Sequence, residues 1–293
     1  MFNTLLHLQA SNGHWALAWR VDSTLILMLA GAVLLYLLAY RAAALARRPL
    51  PAVRQVAAYL AGLSVLTLAL LGPFDHFNGV LFSVHMTQHL LLMLVAAPLV
   101  VLGRPVQVML RGLPPRHRRD LLRQTIARRG VRRILSAITH PFSIFALYNG
   151  SFVLWHLPRF YQAAVRDEQI HELEHAAFFV TALLFWWVLI DPIPRSHRLS
   201  TTSAILLLFA TWMVSDLMCA IITLAREPIY PVYVDSAKPW GLTVLTDQRL
   251  GGAIMWATSA IYYAAVMIGV LAVPYLRNRP AGSITAQPEL PLG

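Results

Sequence analysis

The chain has 293 residues, 58% hydrophobic and only 13% charged, at a mean hydropathy of +0.60. Soluble domains carry roughly 25% charged residues, so this composition excludes an ordinary soluble globular protein and predicts a polytopic membrane protein. A single cysteine, Cys219, excludes an intramolecular disulfide, and the net charge of +11, which alone would suit a nucleic-acid binder, has first to be located along the chain.

Residues 1–20 are expected to form an extracytoplasmic segment, with His7, His14, Trp15 and Trp19 suited to a membrane interface and no signal-peptide pattern. A first span is expected over 21–40, before Arg41, Arg47, Arg48, Pro49, Pro51 and Arg54. The second is expected over 55–71 and ends at Gly72-Pro73. The third covers 80–102 and carries His85-Met-Thr-Gln-His89 near its start. Residues 104–133 form a loop with ten arginines, in which one short surface helix over 115–129 is expected to lie along anionic headgroups. Further spans follow over 141–156, 171–190, 201–224 and 250–273, and 274–293 form a cytoplasmic tail. The expected fold class is therefore all-α: a bundle of about seven transmembrane helices filling 21–273, each near the roughly 20 residues that a bilayer core requires.

Basic residues orient the bundle. With the N-terminus outside and the C-terminus cytoplasmic, 18 of the 24 Lys and Arg fall on the inner side, as the positive-inside rule requires. The charge is thus accounted for by cytoplasmic loops, and a nucleic-acid partner loses its support.

In that frame six of the eleven histidines reach one depth near the outer face: His76, His85, His89, His156, His171 and His175. His85/His89 and His171/His175 are each four apart, so each pair shares a helical face with Cβ atoms about 6 Å apart. Imidazole ligates copper, zinc and iron, and ionisable groups inside a span mark function by default. Glu172 and Glu174 are candidates for orienting the imidazoles. Met86 and Met93 are candidate thioether helpers, although methionine equally fills gaps in a core. Asp216, an intramembrane carboxylate, and Asp247, at the start of the last span, complete the supporting set. Gly251-Gly252 would let another helix approach that span closely.

His85-Met-Thr-Gln-His89 with Ala97-Pro98 and Gly103-Arg-Pro105, then Trp155-His-Leu-Pro158, His171-Glu-Leu-Glu-His175 and Asp247-Gln-Arg-Leu-Gly-Gly252 through Trp256, resemble in order the motifs of the polytopic CtaG family of cytochrome c oxidase assembly factors, over about 53–273. The resemblance implies a multi-pass protein of the bacterial plasma membrane, not an enzyme. It would act in haem-copper oxidase maturation by binding copper at the outer histidines and delivering it, with oxidase subunits or copper donors as partners. Two other readings fit the residues. One is a seven-span zinc hydrolase with Asp216 or Glu172 as base. The other is a haem-binding electron carrier with axial histidines.

Overall fold

The computed structural model describes residues 19–126, 128–190, 199–234 and 237–277. Most of the N-terminal segment, with His7 and His14, most of the tail, and Arg195, His197 and Arg198 lie outside the described residues. All regular structure among the described residues is helical. In chain order the helices are α1 (Ser23–Leu45), α2 (Val53–Leu71), α3 (Pro73–Phe77), α4 (Phe82–Leu90), α5 (Ala97–Leu102), α6 (Pro105–Gly112), α7 (Pro115–Leu121), α8 (Arg129–Ile138), α9 (Pro141–His156), α10 (Pro158–Arg166), α11 (Glu168–Ile190), α12 (Thr201–Leu224) and α13 (Val244–Arg277).

The starts are chemically marked. Asp22, Asp167, Ser200 and Thr243 accept hydrogen bonds from backbone N–H groups in the first turns of α1, α11, α12 and α13. Proline opens α3, α6, α7, α9 and α10, where its missing N–H costs nothing. Between α4 and α5 the chain makes a wider π turn, Leu91–Ala96, in which Ala97 N–H reaches back five residues to the Leu92 carbonyl. Pro98 has no N–H and its ring crowds the carbonyl four residues back, which accounts for a local widening here. The Met93 carbonyl in this turn accepts from Trp186 Nε1 of α11 at 2.8 Å.

Six stretches are long and apolar enough to cross a membrane: Ser23–Leu45, Val53–Phe77, Phe82–Gly112, Glu168–Ile190, Thr201–Leu224 and Val244–Ala272. The expected fourth span is helical over its expected residues, but α9 has only 16 of them. At 1.5 Å per residue that is about 24 Å, short of a core of about 30 Å. It packs against α11 and α12 within the bundle. The basic loop holds more helix than expected: the helix starting at Pro115 is present as α7, running on into a π turn over Leu122–Ile126, and it is joined by α6, which Pro105 starts, and by the first half of α8.

Leu27, Leu34, Leu206, Leu217, Ile221, Ile261 and Ile268 point outward and are mostly exposed, as lipid-facing residues of a membrane bundle are. Inside, α5 and the π turn lie between α2 and α11, and α13 packs along both α4 and α12. The last of these packings depends on the glycine pair. A Cβ on Gly251 would stand 2.5 Å from a Phe82 ring carbon and 3.0 Å from Ser83 Cα, while Gly252 faces Thr223 of α12. Gly251→Leu should therefore push α13 off α4 and cost about 1–3 kcal/mol, read as a lower unfolding temperature in detergent.

Candidate metal centre

One end of the bundle gathers the start of α4, the end of α9, all of α10, the start of α11 and the 225–243 connection. Helical spacing does the first part of the work. His85 and His89 project from one face of α4, and His171, Glu174 and His175 from one face of α11. His156 is the last residue of α9. The imidazoles meet: ring centroids are 4.4 Å apart for His85 and His89, 5.0 Å for His85 and His171, 5.4 Å for His89 and His175, 4.0 Å for His171 and His175, and 6.4 Å for His89 and His156. All five are buried.

Glu174 sits among them with 0% of its surface exposed. One of its oxygens lies 3.5 Å from His85 Nε2 and 3.8 Å from His89 Nε2. Ligand atoms of His85, His89 and His175 all fall within 4.8 Å of one another, and so do those of His85, His171 and Glu174.

The helix that presents His85 is held from outside itself. Leu81, at its N-cap position, offers no side-chain acceptor. Asp247 of α13 takes that role: its carboxylate accepts from Phe82 N at 2.6 Å, Ser83 N at 3.2 Å and Ser83 Oγ at 2.5 Å. A carboxylate at a helix N-terminus also suits the helix dipole. Gln88, on the same helix, donates to the Ala69 carbonyl and to Asp75 and accepts from Asn78, joining α4 to α2 and α3. Gln248 accepts from Ile229 N and Tyr230 N and donates to the Ile222 carbonyl, so it fixes the connection that closes the site.

Three tyrosines form the roof. Tyr233 Oη donates to the Asn78 carbonyl at 3.0 Å and lies 2.8 Å from Tyr161 Oη and 3.1 Å from His85 Nδ1. Its one proton is committed to Asn78, so Tyr161 and His85 Nδ1–H are the donors to its oxygen. Tyr230 Oη donates to the His156 carbonyl at 2.7 Å. Burial raises the phenol pKa of both Tyr230 and Tyr233, so these rings stay protonated. His156 Nδ1 lies 2.7 Å from the Phe152 carbonyl, which only accepts, so the proton is on Nδ1 there too. His85 and His156 therefore both keep Nε2 as a bare lone pair, the tautomer a metal needs, fixed by a hydrogen bond at the other nitrogen.

Those lone pairs have no hydrogen-bond partner. His85 Nε2, both ring nitrogens of His89, and Nε2 of His156, His171 and His175 are buried without one, as are both oxygens of Glu174. An unsatisfied buried polar atom costs about 1–3 kcal/mol. The two groups of ligand atoms, His85/His89/His175 and His85/His171/Glu174, fit a metal ion, which would take lone pairs that protein donors leave unfilled.

The other residues singled out by sequence are placed differently. His76, edge-on to Phe77, belongs to neither triad, although its Nε2 is also buried without a partner. Glu172 is mostly exposed and pairs with Arg20 at 3.2 Å, so Glu174 is the carboxylate that meets the imidazoles. Asp247 supports the site through the backbone of α4 rather than through a ring nitrogen. Met86 packs with Phe82, Tyr161, Tyr230, Tyr233 and Cys219, and Met93 with the core around Phe178 and Trp186. Asp216 on α12 is in neither triad, and its Oδ1 is buried without a partner.

The sequence model of the family described as cytochrome c oxidase caa3 assembly factor matches residues 34–277. Similar curated proteins include uncharacterized proteins of Mycobacterium bovis and Mycobacterium tuberculosis, each 29% identical over 261 residues, covering 86% of this chain and 39% of theirs. An uncharacterized protein of Mycobacterium leprae is 27% identical over 230 residues, covering 75% of this chain and 34% of its own. The chain thus spans about two-fifths of the length of the curated relatives it matches. No solved structure matches.

Proposed function

From the premise that the chain belongs to the caa3 cytochrome c oxidase assembly-factor family, we propose that it handles copper for the maturation of a haem-copper oxidase. Copper is its cargo, and His85, His89, His156, His171, His175 and Glu174 are its holding site. The observation that carries this reading is the set of six buried imidazole nitrogens, drawn from three helices, that have no hydrogen-bond partner around a buried carboxylate. Imidazole suits copper in either valence, and reversible holding needs no general base. The site faces the outer compartment when the basic segments at the opposite end, Arg41–Arg54 and Arg104–Arg133, lie in the cytoplasm. The protein then resides in the plasma membrane, and oxidase subunits and copper donors are its partners.

Neither alternative gains support. Glu172 and Asp216, the expected bases of a zinc hydrolase, are in neither triad. The imidazoles are in edge contact with one another, with no slot of porphyrin width among these described rings.

The test is metal content by mass spectrometry of the detergent-purified protein after Cu(I) loading, beside His85→Ala/His89→Ala. About one Cu(I) per chain is expected in the wild type, falling at least ~10-fold in the variant. Zinc retained in place of copper, or equal copper in both proteins, would overturn the assignment.

A further inference from the structure

Outward of the two triads lies a third group, absent from any helix-face argument. Ligand atoms of Asp75, His171 and His175 fall within 4.8 Å of one another. Asp75 comes from α3, its side chain 7% exposed, and His171 and His175 present Nε2 atoms that are buried without a partner. Gln88 and Asn78 donate to Asp75 Oδ1 at 3.2 and 3.3 Å and hold the carboxylate in place. Over it stands Arg20, about a third exposed, with NH1 3.4 Å from Asp75 Oδ2. The same guanidinium reaches Glu168 at 2.5 Å, Glu172 at 3.2 Å and Asp22 at 3.3 Å, three carboxylates more exposed than Asp75.

We propose that Asp75, His171 and His175 form an entry station for divalent copper at the mouth of the site, with Arg20 as the resident cation that the metal displaces. The proposal rests on the copper reading above and deepens it. Two imidazoles and a carboxylate are an N,O donor set, which suits Cu(II); the inner triad of His85, His171 and Glu174 has the same composition, so the ion can pass inward as Cu(II), while His85, His89 and His175 are all nitrogen. His175 belongs to both groups, so an ion bound outside is already attached to an inner ligand and moves inward by exchanging the others. Arg20 and a metal ion compete for Asp75 by charge. When Arg20 yields, it keeps three carboxylate partners, so its departure leaves no cation unpaired.

The experiment uses the full chain with His85→Ala/His89→Ala, which removes ligands from both inner triads and leaves the station intact. Cu(II) is titrated in and followed by electron paramagnetic resonance. One nitrogen-ligated Cu(II) signal per chain is expected. Adding Asp75→Asn, which keeps an acceptor for Gln88 and Asn78, should weaken it at least ~10-fold, and adding Arg20→Gln should instead strengthen it. A structural role for Arg20 would not give that opposite sign. No Cu(II) signal, or one indifferent to both Asp75 and Arg20, overturns the entry station while leaving the inner site to stand on Cu(I) loading of the wild type. Failure of that loading removes the inner site and leaves the Cu(II) result to decide the station by itself.

Discussion

Glu174→Gln is expected to move stability in opposite directions with and without copper. In the metal-free protein Glu174 is a fully buried carboxyl whose two oxygens have no donor. An amide of the same shape removes the need to bury a charge, and the gain should be on the order of 1–3 kcal/mol. That corresponds to several degrees in the unfolding temperature of a chain this size. With copper bound, the same change removes the negative charge 3.5 Å from His85 Nε2, and affinity should fall about 10–100-fold. Unfolding followed by tryptophan fluorescence, with and without one equivalent of Cu(I), reads both effects. Shifts of the same sign in the two states would mean that this carboxylate does not meet the metal.

Asp247→Ala should be the most damaging single change outside the ligands. It removes the acceptor of three hydrogen bonds and strands Phe82 N and Ser83 N at the buried start of α4. The expected cost is about 3 kcal/mol or more. Because those residues open the helix that carries His85 one turn on, copper binding should weaken together with stability. Asp247→Asn should rescue only in part, since its amide would turn a donor toward one of the same N–H or O–H groups. Equal unfolding temperatures for Asp247→Ala and wild type would refute the capping role.

The five clustered histidines were legible because helical periodicity is local. Two pairs at four-residue spacing and one histidine at a helix end reach the same depth as soon as the spans are ordered and oriented. The same periodicity separates the two glutamates: residues 171, 174 and 175 lie on one stripe, whereas 172 is turned about 100° away. Applied to that motif, it singles out Glu174, which the structure buries, and sends Glu172 to the surface, where it finds Arg20. What the sequence hid came through tertiary contact. Tyr230 and Tyr233 sit in a connection with no period, and nothing local says that they roof a site on α4 and α9. Asp247 was visible as a carboxylate at a helix start, but its partners are about 165 residues away along the chain. Arg20 and Asp75 carry no local signal, because charges near span ends are ordinary, and their meeting depends on how the start of α1 and α3 pack. At α9 the apolar composition fixes a helix but not its reach, because 16 residues are fewer than a bilayer core ordinarily takes.

The π turn between α4 and α5 has a consequence for how this protein can change over time. An ordinary helix is a rigid ruler: every residue's direction is tied to every other at 100° per step. One extra residue in a turn slips that ruler by a step, so the half that aims His85 and His89 and the half that wedges Ala97 and Val101 between neighbouring helices are set by separate choices. Drift in the inner packing can therefore accumulate without rotating the histidines, and the histidines can be retuned without loosening the bundle beneath them. The single span behaves as two parts with a clutch between them, and Trp186, bonded to the Met93 carbonyl, holds that clutch in gear.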